Sequence, residues 1–342
     1  MKRLRVCAAA ALGSFASFVA AAPLEGDPMS RPIVALALAL FALAPAAIRP
    51  ATAQPTQNSP MVRIGTLGGV FSTLWAVNND NAAVGWSDVT YTDSEHAILW
   101  QDGQLIDLGT LPGDTVSRAS GINDLGQVVG LSVNTDGLSR LVRPVLWQQG
   151  QAIELPGGEG CTATAINNKG HIALWCGGPS VLRDGQRVAI GTLPGYSGGY
   201  VYAINDAGVA VGAMFDGRGG STAFRWEDGI LTDLGALAGG VGSHASAINA
   251  RGQVAGYVRT SAAVGAAEPV VWERNTVTPL GGRWGTFQGV ARGINNRGDV
   301  VGSGDFVDGS GSGTFVWSRG TFRFLGTPYL SLIHISEPTR RS

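Results

Sequence analysis

Charge is scarce in this chain. Asp, Glu, Lys and Arg make up only 14% of its residues, lysine occurs only at Lys2 and Lys169, and the formal net charge is −1. A surface so close to neutral offers no basic footprint, which argues against nucleic acid and anionic lipid as partners. Cysteine is scarcer still, and after residue 53 only Cys161 and Cys176 remain. No apolar run reaches the roughly 18 to 20 uninterrupted residues that a spanning helix needs, so no stable membrane span is expected. Away from the two ends the histidines are His96, His171 and His244, at unrelated spacings and without an HxH or HExxH pattern. Neither a metal site nor a cofactor is expected.

The two ends read differently from the middle. Residues 1–53 hold two short apolar runs, the second of which (33–44) follows Met29 and Arg31 and precedes Ala51-Thr52-Ala53. That small-x-small triplet suits signal peptidase, so residues 1–53 read as a targeting region with its start at Met29 and cleavage before Gln54. Leu330 to Arg340 resembles a translated sequencing adapter, and residues 330–342 are set aside as an artefactual tail. The expected domain is therefore 54–329, secreted, periplasmic or at the cell surface.

What the middle has in abundance is glycine, at regular places. Asn78, Asn123, Asn167, Asn205, Asn249 and Asn295 recur every 38 to 46 residues, and three positions after each stands Gly or, once, Asn81. A period of this size marks an array of one supersecondary unit. Gly and Asn tolerate positive φ, and an Asn side chain can bond its own backbone two residues on, so Asn-x-x-Gly predicts a tight turn between two strands. Later in each unit Trp100, Trp147, Trp226, Trp272 and Trp317 are followed three residues on by Gly or Asn275, and eight residues on by leucine. The third copy has Leu182, Gly185 and Ile190 at those places.

Each unit thus holds four short strands, here called a to d, with tight a–b and c–d turns. Six such units predict an all-β chain folded as a β-propeller of six recognisable blades. A β-helix needs coils about half as long, and a sandwich needs no near-identical units. The tryptophans are expected as wedges between neighbouring sheets. A lone copy of the d-strand signal at Arg63 to Leu67, ahead of the first unit, predicts a native ring of at least seven blades and leaves 61–67 poorly paired. Six blades with a spare first strand is the alternative.

Ala-Ile-Asn-x-x-Gly-x-Val-x-Gly, His-Ala-Ile-Leu-Trp at His96 to Trp100 and Asp-Leu-Gly-Thr-Leu at Asp107 to Leu111 together resemble the HAF family of probable extracellular bacterial repeats. The resemblance covers 63–326 and implies export and a repeated β architecture. It implies no activity.

The chemical candidates are few. Gly195 to Gly199 matches a nucleophile elbow around Ser197, but that elbow requires a helix after it and a strand is expected here. The Asp305 to Gly313 segment carries oxygen ligands without EF-hand alternation, so it reads as a b–c loop. Trp284, beside Arg283 in a blade linker, is the best candidate for an exposed aromatic contact, and Arg283, Trp284 and Asp305 are the expected ligand contacts on the face of the long loops. No residue is assigned a catalytic role.

Cys161 and Cys176 flank the Asn167–Gly170 turn, and their spacing across that hairpin predicts a disulfide in an oxidising compartment. A two-residue turn would put them directly opposite each other; a bulge at Gly170 would offset them by one. Three functional classes fit the whole. The chain is a binding or scaffold propeller for an unknown extracellular ligand, protein or glycan. Alternatively it is an extracellular hydrolase or lyase whose loop-face site draws on residues such as Asp114, Arg118, Arg283 and Asp305. The third class is a structural module of a larger surface protein.

Overall fold

A computed structural model of the chain describes residues 62–325 apart from 91–93, 136–140, 261–266, 275, 282–286 and 307–311. Six four-stranded sheets follow one another along the chain, each built from four consecutive strands in the order a, b, c, d. All neighbouring strands are antiparallel. The a strands of successive blades touch one another, which places strand a at the centre of the ring and strand d at its rim. The fold is a β-propeller. No described helix is long and apolar enough to cross a membrane.

Strand a of blades 1 to 6 spans Ser72–Val77, Val116–Ile122, Thr162–Ile166, Gly198–Ile204, Gly242–Ile248 and Phe287–Ile294. Strand b is covered on both faces by neighbouring blades, so it reads as a continuous apolar run such as Ala210-Val211-Gly212-Ala213-Met214, buried throughout. The outer d strands are short and largely exposed. Apolar clusters lie between blades: Trp147 packs with Ala82, Val84 and Leu111, and Trp226 with Ala173, Val181 and Ile190. Trp147, Trp226 and Trp272 are buried wedges of this kind.

The turn asparagines do more than close hairpins. In blade 3 the Asn167 Oδ1 accepts from the backbone N–H of Lys169 and of His171, and Asn167 N–H donates to His171 O at 3.0 Å. The connection therefore runs from Asn167 to His171 and is longer than a two-residue turn. Positive φ is found at Asn81 (60°) and at Gly126 (74°), the equivalent places in blades 1 and 2. The c–d turns place two successive residues at positive φ, as in Asp102 (52°) and Gly103 (79°). That is the backbone of a type I′ turn.

Every strand a carries one bulge, three residues before its asparagine, at Trp75, Ser120, Thr164, Tyr202, Ser246 and Arg292. Above the bulge of blade 3, Thr162 pairs with Trp175, which sets Cys161 opposite Cys176. Their sulfurs are bonded at 2.07 Å with the Cα atoms 4.2 Å apart. The longer turn shifts the pairing by one residue, and the bulge at Thr164 on strand a cancels that shift, so the two cysteines stand directly opposite.

Two features differ at the first blade. Val62 to Leu67 form no strand, yet Leu67 N–H donates to Ser87 Oγ at 2.9 Å, and Ile64 and Leu67 pack on Leu74, Ala83 and Ile98. Leu111 N–H donates to Ser132 Oγ in the same way at 3.0 Å, so the expected orphan d strand supplies the linker contacts of a blade boundary without strand pairing. Met61 lies outside the described residues. Between blades 6 and 1, Val77 packs against Val301 and Val316.

Candidate functional site

Blades built to one pattern place unlike residues at equivalent points around the axis, and the site is best read from those points. Five residues before each asparagine, strand a carries Thr73, Arg118, Thr162, Tyr200, His244 and Val290. Each pairs with a residue of strand b: Trp86, Leu131, Trp175, Ala213, Tyr257 and Ser303 respectively. The strand b residue of one blade meets the strand a residue of the next. Arg118 lies 5.2 Å over the Trp86 ring, and Tyr200 stacks on Trp175 at 5.3 Å with planes 16° apart.

From blade 3 to blade 5 the rings form one continuous run. Tyr200 stands beside Tyr202 at 6.2 Å in nearly parallel planes and meets Phe215 edge-on at 6.0 Å. Phe215 lies 5.5 Å from His244, which stacks on Tyr257 at 4.7 Å and 8°. Tyr200 is 38% exposed, so this run is reachable from solvent. Arg292, the bulged residue of blade 6, is close enough for its charge to act on Tyr202, Tyr257 and His244.

The cluster contains phenols and an imidazole, on which the Arg292 and Arg259 guanidinium charges act, and among the described residues no Asp or Glu has its charge felt by His244, Tyr202 or Tyr257. Burial raises the pKa of Tyr202 and Tyr257, so both stay neutral donors at ordinary pH. Burial, with the charges of Arg259 and Arg292, lowers that of His244 to about 4, so the imidazole is neutral too. Arg292 is lowered by burial, which the two phenols partly offset. Its Nε is enclosed without a hydrogen-bond partner, and among the described residues no Asp or Glu forms an ion pair with it. Arg118, by contrast, is neutralised by Glu95.

The acids and bases that chemistry would use are engaged elsewhere. Arg143 pairs with Asp114 at 2.8 Å and with Glu154 at 3.0 Å. His96 Nδ1 lies 2.9 Å from Asp107 Oδ2, and at the matching place in blade 4 Thr222 Oγ1 donates to Asp233 at 2.6 Å. His96 is thus one version of a c–d strand tie. Ser197 precedes a strand at Gly198, and its Oγ donates to Phe215 O at 3.2 Å, so no elbow forms. Asp305 is exposed at the end of strand b of blade 6 and pairs with Ser312 on strand c, while Arg283 and Trp284 lie outside the described residues. Among the described residues no group of three or more His, Cys, Asp or Glu is placed to hold a metal ion.

No protein-family model and no curated protein matches this chain. Solved structures do. The chain is similar to the β-propeller domain of the trilobed protease from Pyrococcus furiosus, described as having an open velcro topology, with a TM-score of 0.50 at 11% identity over 75% of this chain and 84% of that one. It is also similar to a prolyl endopeptidase (TM-score 0.48, 10% identity, 74% of this chain and 42% of that one). TolB from Acinetobacter baumannii matches with a TM-score of 0.33 at 13% identity, over 72% of this chain and 55% of that one. The chain spans about half or less of the length of the last two proteins. At these identities the likeness is one of fold.

Proposed function

We propose that this chain is an exported binding or scaffold propeller, akin to the HAF-type repeats, whose ligand enters the aromatic cluster around Tyr200. The observation that carries the reading is the composition of that cluster. Six aromatic or imidazole rings beside a guanidinium without an acidic partner suit recognition of a ligand by stacking and charge. The leader-like first 53 residues and the bonded Cys161 and Cys176 support work outside the cytoplasm. Net charge of −1 and a single lysine after the leader argue against nucleic acid as the partner.

The test is to express the full chain with its own leader in a bacterial host and recover it from periplasm or medium. It is then probed on a panel of extracellular polymers, with product release followed in parallel. Retention on a polymer without product is expected, and Tyr200→Ala reduces it. Steady release of product would favour a hydrolase or lyase, and no retention by the parent protein would favour a purely structural module.

A further inference from the structure

We propose that the cluster takes a carboxylate-bearing saccharide, a uronate unit of an acidic glycan, with Arg292 as the partner of the carboxylate and the Trp175, Tyr200 and Tyr202 rings as the surface on which the sugar lies. This rests on the binding reading and narrows it to a ligand class.

Arg292 makes the first half of the argument. A half-buried guanidinium normally finds a carboxylate, because an unpaired charge out of water is costly. Several arginines of the chain meet that need with an acid: Arg118 with Glu95, Arg143 with Asp114 and Glu154, Arg183 with Asp228, Arg225 with Glu227 and Arg297 with Asp299. The Arg292 Nε is enclosed without a hydrogen-bond partner, no Asp or Glu among the described residues forms an ion pair with this side chain, and it stands among neutral phenols. The planar fork of donors on Arg292 fits one carboxylate. Arg259, the other charge that acts on His244 and Tyr257, donates instead to Gly219 O at 2.8 Å.

The rings make the second half. Trp175, Tyr200 and Tyr202 form a tiered aromatic surface within 6.2 Å centroid steps, with Tyr200 exposed. The C–H face of a pyranose suits such a surface, and the phenol hydroxyls offer donors and acceptors to its hydroxyls. An acidic peptide would carry the same carboxylate. Its ordinary means of docking on a sheet is the free edge of strand a, and that edge is broken by a bulge in every blade, at Tyr202 in blade 4 and Arg292 in blade 6. Main-chain addition is therefore blocked just where the rings are, and a ligand read through its ring face and one acid remains.

Calorimetric titration of the full chain with trigalacturonate, with neutral galactotriose and with an acetylated Tyr-Tyr dipeptide acid separates the possibilities. Trigalacturonate is expected to bind at least tenfold more tightly than galactotriose. Arg292→Gln is expected to remove that preference, Arg292→Lys to restore part of it, and thermal melts report whether each variant is folded. Should Arg292→Gln not fold, the acid-to-neutral ratio of the parent protein and the Arg292→Lys result decide alone. Equal affinity for the acidic and neutral sugars overturns the inference while leaving the binding reading in place, and preference for the dipeptide overturns the saccharide class. Binding of none of the three overturns the inference, and the polymer panel then decides the binding reading separately.

Discussion

Asn167 Nδ2 donates to the backbone carbonyl of Asn205 at 2.8 Å, from the turn of one blade to the turn of the next. The same bond joins Asn78 to Asn123, Asn123 to Asn167, Asn205 to Asn249 and Asn249 to Asn295. Each of these five asparagines spends its oxygen inside its own hairpin and its amide on its neighbour, so one side chain both folds the blade and fixes its spacing from the next, whereas Asn295 Nδ2 donates to Asp299 of its own hairpin. A second series of bonds runs beside it. Asp124 accepts from Asn79 N–H and Nδ2 and from Asn168 Nδ2, and Asp206 accepts from Asn168. Burial raises the Asp124 pKa, but these bonds outweigh it and hold the carboxyl below its ordinary value.

From this relay follows a prediction for Asn167, which is 4% exposed. Asn167→Ala is expected to lower stability by about 1 to 3 kcal/mol, since it leaves the Lys169 and His171 amides and the Asn205 carbonyl without their partner. Asn167→Asp separates the two roles, because it keeps the acceptors and replaces the donor by an acceptor facing a carbonyl. Urea unfolding should show it no more stable than the alanine variant. Parent-like stability for Asn167→Asp would remove the inter-blade bond from the account.

The repeat unit was legible because it is local. Asn-x-x-Gly, the c–d turn and the tryptophan wedge each depend on a backbone angle or an apolar face that one copy displays in full. The inter-blade bond was not, since Asn167 and Asn205 meet only once the ring is built. The bulges were invisible for a related reason: the bulged positions hold Trp75, Ser120, Thr164, Tyr202, Ser246 and Arg292, which share no chemistry. The aromatic cluster draws on those positions at Tyr202 and Arg292, and on equally variable places two residues before the bulge at Tyr200 and His244. A reading that seeks what all copies keep passes over Tyr200, His244 and Arg292; comparing the copies at fixed offsets from each asparagine would have singled them out. Of the loop-face trio expected instead, Asp305 is at a strand end, and Arg283 and Trp284 lie outside the described residues.

The second glycine of the repeat carries the next prediction. A Cβ at Gly212 would lie 1.9 Å from Tyr200 O, and at Gly85, Gly130 and Gly256 the carbonyl of the equivalent strand a residue stands 1.9 to 2.0 Å away. Backbone cannot yield by that much inside a paired sheet, so Gly212→Ala is expected to abolish soluble expression. Gly126→Ala meets nothing within 4 Å and suffers only from φ of 74°. It should cost roughly 1 to 2 kcal/mol in a denaturant titration. Equal tolerance of the two alanines would show that the close approach is not what excludes a side chain at 212.

Blade 3 lacks the tryptophan wedge, has Leu182 at that place and carries the cystine. Opening the bridge, by reductant or by the Cys161→Ser, Cys176→Ser double variant, releases a loop closed over 15 residues and is expected to lower stability by about 3 kcal/mol. The measurement is a thermal melt of oxidised and reduced protein side by side, with non-reducing mass spectrometry to show the bond in exported material. Two free thiols in that material would contradict it.

The last prediction concerns acid. His244 stacks on Tyr257 and faces Arg259 and Arg292, and its folded-state pKa is about 4 against roughly 6.5 for a free imidazole. The unfolded chain therefore binds a proton that the folded chain refuses between these values. Stability is at its full value above pH 6.5, falls as pH drops from there, and the loss is complete below about 4. The full shift corresponds to on the order of 3 kcal/mol. Ordinary carboxylates also titrate near the bottom of this window, so the contribution is read as a difference: urea midpoints at pH 7 and pH 5 for the parent protein and for His244→Gln. The parent should lose more stability than the variant. Parallel pH profiles for the two proteins would mean that His244 is not held neutral by burial and the two guanidinium charges.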